Sequence, residues 1–244
     1  MKTSELSRCL NTRTPEQLEE MASAGRTVME CYRVLKKAGT NVVAQCLAHQ
    51  GTFYELDHYP KGDVYDGETH SQYYYHSHRP ELKEHGHFHA FLRFKGMPKD
   101  CRPAPYDGSA KRPLGEDAIT HLVAISMTRS GFPKALFTTN RWVTGETFYS
   151  ADDTLAMLDR FEIDHTYPCL AVNRWITAMF RLFRPQIDAL LRERDRMVAK
   201  WVEEHPGSDV YEDRDLVVAS IDRIDVAKQI AAVNKALERH EIAA

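Results

Sequence analysis

Six of the chain's 12 histidines, His70, His76, His78, His85, His87 and His89, fall within 20 residues of one another. An even spread over 244 residues would put about one in such a window. Imidazole titrates nearest to neutral pH and is the commonest protein metal ligand, so proton transfer and metal binding are the chemistries to test first. The spacing favours metal. Tyr74, His76 and His78 alternate along one run, and His85, His87 and His89 along the next. Side chains two apart on a strand share a face, about 7 Å apart, close enough for an H-x-H pair to converge on one ion. Residues four apart are separated by about 13 Å, so His85 and His89 do not share one comfortably.

A hairpin follows from the two runs. Pairing His78 with His85 also pairs His76 with His87 and Tyr74 with His89, and puts five imidazoles on one face. A slip of one residue would divide them between faces. The expected centre has His87 and His89 as its first pair and His76 or His121 as its third ligand. His76, His78, His85, His87, His89 and His121 are the candidate ligands. Those left over would serve as outer-layer partners, a second ion site or proton carriers. An all-imidazole set suits iron, copper, nickel or zinc, whereas magnesium and calcium want carboxylates. Iron or copper is favoured and zinc remains possible. Glu55, Asp57 or Glu68 would complete a two-histidine, one-carboxylate iron site. Glu84 is expected on the opposite face from His85, unless the loop bends there. The H-x-H pair with a later histidine is similar in style to cupin metal sites over a few residues only. The downstream glutamate and glycine spacing of cupins is missing after His89.

Substrate-binding candidates are Tyr74, Asn140 and Arg141. Tyr74 would sit beside the imidazoles to hold an aromatic substrate or carry protons. Asn140 and Arg141 directly follow a strand, and the planar guanidinium of Arg141 suits a substrate carboxylate. No catalytic residue stands out. The chain holds no H-E-x-x-H, P-loop, G-x-S-x-G or G-x-G-x-x-G motif. Its five cysteines include no C-x-x-C pair. Scattered thiols without an N-terminal apolar signal segment lead us to expect a cytoplasmic protein.

The elements that must position these residues are legible in outline. Thr14-Pro15-Glu16-Gln17 offers a capping hydroxyl, an early proline and a returning glutamine, opening a helix toward Lys36 and Lys37. A short helix is expected over 41–49. Strands are expected over 52–59, 72–78, 85–94, 119–128 and 134–139, where aromatic and β-branched residues lie between turn signals, including those at 60–63 and 79–80. Residues 95–115 read as a long loop. Ser150 starts another helix, Pro185 interrupts a long one near Arg184, and Val226, Ile230, Val233 and Leu237 mark a last one. Residues 210–221 offer one more strand. The expected fold is α+β, a central antiparallel sheet flanked by N-terminal and C-terminal helices. It forms a single domain, helical over 1–50, sheet with the histidine hairpin over 51–145, and mainly helical over 146–244.

Net charge is −3 and 43% of residues are hydrophobic. That balance gives no broad basic surface for nucleic acid, and no apolar run approaches the ~20 residues of a membrane helix. The sequence therefore points to a metal-binding protein, and first to a mononuclear iron or copper oxidoreductase acting on a small organic molecule. The alternatives are a zinc-dependent hydrolase or lyase, and a non-catalytic metal or haem binder.

Overall fold

A computed structural model describes residues 1–78 and 84–243. Three helices open the chain: α1 (Thr3–Asn11), α2 (Pro15–Lys37) and α3 (Val42–Leu47). Thr14 caps α2 as expected. Its hydroxyl accepts from the Gln17 N–H, and the Gln17 carboxamide oxygen accepts from the Thr14 N–H. The α1 helix has no counterpart in the sequence reading, because it is short and its one capping partner is Glu5.

Six strands follow: β1 (Tyr59–Tyr65), β2 (Ser71–His76), β3 (Gly86–Arg93), β4 (Ile119–Met127), β5 (Pro133–Thr139) and β6 (Val218–Arg223). They lie in chain order in one sheet, every neighbouring pair antiparallel. Between β5 and β6 come α4 (Arg141–Thr144), α5 (Ala151–Leu158), α6 (Leu170–Leu182) and α7 (Arg184–Glu204), and α8 (Val226–Ala243) closes the chain. The result is an α+β fold with helices at both ends. The long helix is interrupted where Pro185 predicts it: α6 ends at Leu182 and Pro185 sits in the first turn of α7.

Two expected strands are placed differently. Residues 52–59 do not form one. The first strand begins at Tyr59 and runs through Pro60-Lys61-Gly62-Asp63, the expected turn. An edge strand tolerates proline and positive φ because one side needs no ladder partner, and β1 is irregular between Tyr59 and Val64. Residues 210–221 split into a 3₁₀ turn (Val210–Glu212) and β6. The connection around Arg79 and Pro80 lies outside the described residues.

The two faces of the sheet differ in chemistry. One carries Tyr73, Tyr75, Phe88, Leu92, Ile125 and Leu136 into the main core against the helices. Trp175 of α6 packs against Phe88, and the Tyr73 hydroxyl donates to the Asn173 carboxamide oxygen on the same helix. The other face carries the histidines. No described helix is long and apolar enough to cross a membrane.

Candidate metal centre

Strand register decides whether the histidines meet. In the β2–β3 ladder His76 lies opposite His87 and Tyr74 opposite His89, the register that puts both sets on one face. His76, His87 and His89 each present a ring nitrogen, and the three nitrogens lie within 4.8 Å of one another. All three side chains are buried, His87 and His89 almost completely. The His76 and His87 Nε2 atoms are 2.7 Å apart. At metal–nitrogen distances of about 2.1 Å, tetrahedral ligation would spread such a pair to about 3.4 Å. Parting the two ring nitrogens by about 0.7 Å would then admit an ion.

A second layer orients two of the three rings. His87 Nδ1 lies 2.7 Å from Glu84 Oε1, and the Ser126 hydroxyl donates to the other carboxylate oxygen. A proton on His87 Nδ1 leaves the Nε2 lone pair aimed at the cluster, the arrangement in which a carboxylate fixes a ligand histidine's tautomer. His89 Nδ1 lies 2.9 Å from His121 Nε2. Burial lowers the His121 pKa to about 3, with the nearby Arg194 and His87 charges acting in the same direction. His121 is therefore neutral at physiological pH. It can accept from His89 Nδ1–H and leave His89 Nε2 for an ion.

A bulge brings His121 to this face. Ala90 pairs with Val123, but Phe91 pairs with His121, so Leu122 is the extra residue of β4. Without it, His121 would share the parity of Val123 and Ile125 and point into the helical core. The His121 backbone N–H donates to Glu146, which also accepts from the Thr120 and Thr144 hydroxyls. Burial, outweighing the neighbouring Arg194 charge and these hydrogen bonds, raises the Glu146 pKa to about 7.

The remaining candidates divide. His78 lies just beyond β2, its ring edge-on to His76 and His87 at 4.7 and 5.1 Å between centroids. His85 corrects the expectation of five imidazoles on one face. Its Nδ1 pairs with the Tyr75 hydroxyl and its ring stacks on Phe53, which puts it on the side of the sheet where Tyr75 packs. Chain bending ahead of β3 produces this, and the same bend swings Glu84 onto the histidine face, against the expected alternation. Tyr74 stands in the wall of the site, stacked between His58 and Phe91 and tilted against His89. Burial pushes its phenol well above the ordinary range, so it remains protonated. Phe137 closes the far side against His87 and His89.

Arg141 and Asn140 have structural partners in place of a substrate. Arg141 donates from Nε to the Glu146 carbonyl, from Nη2 to the Lys111 carbonyl and from Nη1 to the Glu212 carboxylate. The Asn140 side chain caps α4 and donates to the Val210 carbonyl. The pair anchors the β5–α4 turn. Glu55, Asp57 and Glu68 do not join the three-nitrogen group.

Glu84 and His58 were missed by the sequence reading. The Glu84-x-x-His87 spacing carried a signal for the first, but strand alternation sends Glu84 to the other face unless the chain bends, and the sequence does not encode that bend. His58 had none, because the residues it touches, Asp63, Tyr74 and His76, are brought to it only by the fold.

Neither a curated protein nor a solved structure matches the chain. Residues 22–224, which include every residue of the centre, match the family described as a domain of unknown function, DUF6969, and the chain belongs to that family.

Proposed function

We propose that the chain is a metalloprotein holding one first-row transition metal on His76, His87 and His89, and that it is an iron or copper oxidoreductase acting on a small organic molecule. One observation carries the reading: three buried imidazole nitrogens within 4.8 Å of one another, two of the rings oriented from behind by Glu84 and His121. Neutral imidazoles suit these metals, and three protein ligands leave positions open for exchangeable ligands. A bound iron or copper ion supplies electron transfer and substrate or oxygen activation at those positions. The chain's own residues supply the rest. Glu84 and His121 hold the tautomers that aim lone pairs inward. Phe137, Phe91 and Tyr74 exclude water from the back of the site. His78, at the less buried end, lies within reach to pass protons or add a fourth ligand.

The Glu84–His87 pair also favours a second reading, in which the ion is zinc and the reaction a hydrolysis or elimination. A carboxylate behind a ligand histidine is characteristic of zinc enzymes, where the metal makes bound water acidic near neutral pH.

Metal analysis after anaerobic purification and reconstitution separates these readings. The expected result is about one metal per chain, lost in the His87→Ala, His89→Ala double variant. Redox-active metal with oxygen-dependent turnover supports the oxidoreductase, and tightly held zinc supports the second reading. A wild-type chain that retains no iron, copper or zinc ends both.

A further inference from the structure

At the other end of the same sheet lies a cleft of about 620 Å³, lined by Asp63, Tyr65, Gln72, Arg93, Lys95, Glu116 and Asp117 among others. Gln72 and His76 lie four positions apart along the strand, about 13 Å. Tyr74 and Phe91, both buried, fill the interval. The cleft is thus a separate space from the histidine centre.

Its charges are arranged in an unusual way. Arg93 is held from behind, because its Nε donates to Gln72 Oε1 at 2.6 Å while Gln72 Nε2 donates to Asp63 Oδ2 at 2.6 Å. The guanidinium lies over the Tyr65 ring, 5.7 Å from its centroid. This relay fixes the guanidinium plane and takes up Nε, while Nη1 and Nη2 have no hydrogen-bond partner among the described residues. Lys95 adds a second cation two residues on. Glu116 and Asp117 stand on the 3₁₀ turn (Gly115–Asp117), which the Phe94 N–H to Ala118 carbonyl bond ties to the end of β3. Among the described residues no ion pair joins either carboxylate to Arg93 or Lys95.

We propose that this cleft binds a small zwitterion bearing one carboxylate and one ammonium group. The carboxylate accepts from the two free Nη groups of Arg93, the bidentate geometry for which a guanidinium is shaped, with Lys95 beside it. The ammonium donates to Glu116 and Asp117. Opposite charges that line one cleft without neutralising each other are matched by a ligand carrying both signs. A dianion would meet Glu116 and Asp117 as like charges, and a dication would meet Arg93 and Lys95. An amino acid or ω-amino acid has the required chemistry.

Calorimetric titration of the full chain, as purified and again after chelation, tests this independently of the histidine centre. The probes are glycine, 4-aminobutyrate and 6-aminohexanoate, with succinate and 1,4-diaminobutane as single-sign controls. At least one amino acid should bind at millimolar concentration or below, at least tenfold tighter than either control, with or without metal. Arg93→Met should weaken it at least tenfold, whereas Lys235→Met, which removes an equal charge from an exposed position on α8, should not. Glu116→Gln with Asp117→Asn, both exposed, leaves the core untouched and should weaken it similarly. No binding by any amino acid, equal binding by succinate, or unchanged affinity in both cleft variants would overturn the proposal. Metal loss in the chelated sample bears only on the histidine centre.

Discussion

Three imidazoles on one face do not yet make a metal site, because each ring has two nitrogens and rotates about two bonds. Glu84 removes that freedom for His87. Its carboxylate, buried like the ring it faces, accepts a hydrogen bond from Nδ1–H and leaves the Nε2 lone pair free to ligate. A neutral carboxamide at the same position would offer either a weaker acceptor or an N–H facing the ring. Glu84→Gln should therefore keep the three ligands and lower metal affinity about 10- to 100-fold, the usual cost of losing such a partner. Competition against a chelator of known affinity measures it, with His87→Ala as the reference for ligand loss. Equal affinity in wild type and Glu84→Gln would mean that the carboxylate does not tune the ligand. His76 is bounded by the rings of His58, Tyr74, His78, His87 and His89. Its ring is carried by the last residue of β2, so its position follows the strand beneath it.

That strand depends on Gly86. A Cβ built at this position would lie 2.5 Å from the His76 carbonyl oxygen and 2.6 Å from the Tyr75 hydroxyl. The carbonyl belongs to the ladder and cannot move without moving His76, so the close approach of β2 and β3 requires glycine. Gly86→Ala should destabilise the chain by about 1–3 kcal/mol, as for other overpacked positions, and part the His76–His87 pair. Denaturant midpoints read the first effect and metal stoichiometry the second. An alanine variant with unchanged stability and full metal content would show that the strands can give. Strand periodicity puts His76 opposite His87 once His78 is paired with His85, and the ladder has His76 opposite His87, but periodicity alone leaves that register open against a slip of one residue. Periodicity also fails at the two places where alternation breaks. One is the bend that sends His85 to the core side and Glu84 to the histidine side. The other is the bulge at Leu122, which turns His121 toward His89. Each is set by contacts between strands distant in sequence, and no local pattern encodes them. The same limit hid the edge strand at Tyr59–Tyr65, whose proline and glycine read as a turn. It also made Arg141 look available, since Glu146, Lys111 and Glu212 are brought to it only by the folded chain.

At the scale of the whole molecule, the layered arrangement gives the sheet an apolar face against the helices and a polar, titratable face buried nearly as deeply. Burying ionisable groups couples folding to pH, and here two neighbours couple with opposite sign. Burial depresses the His121 pKa from 6.5 to about 3. Between those values the unfolded chain holds a proton there that the folded chain does not, so stability falls as pH falls. Burial raises the Glu146 pKa from 4.5 to about 7. Between those values the folded chain holds the extra proton, so stability falls as pH rises. From pH 4.5 to 6.5 the two slopes oppose and nearly cancel. Below pH 4.5 Glu146 is protonated in both states and only the His121 term remains. The metal-free chain should therefore show a compensated plateau in mildly acidic solution. Glu146→Gln removes one slope and leaves the other. Relative to wild type, the variant should gain stability from pH 4.5 to 6.5 by up to about 1.4 kcal/mol per pH unit, the linkage limit for one proton. Adding His121→Asn should abolish that gain. Urea unfolding of the three chelated chains at half-unit steps of pH gives the differences directly, and other carboxylates drop out of the comparison. Parallel pH profiles for wild type and Glu146→Gln would mean that the buried carboxyl and its neighbouring imidazole titrate alike in folded and unfolded chains, and the compensation would not exist.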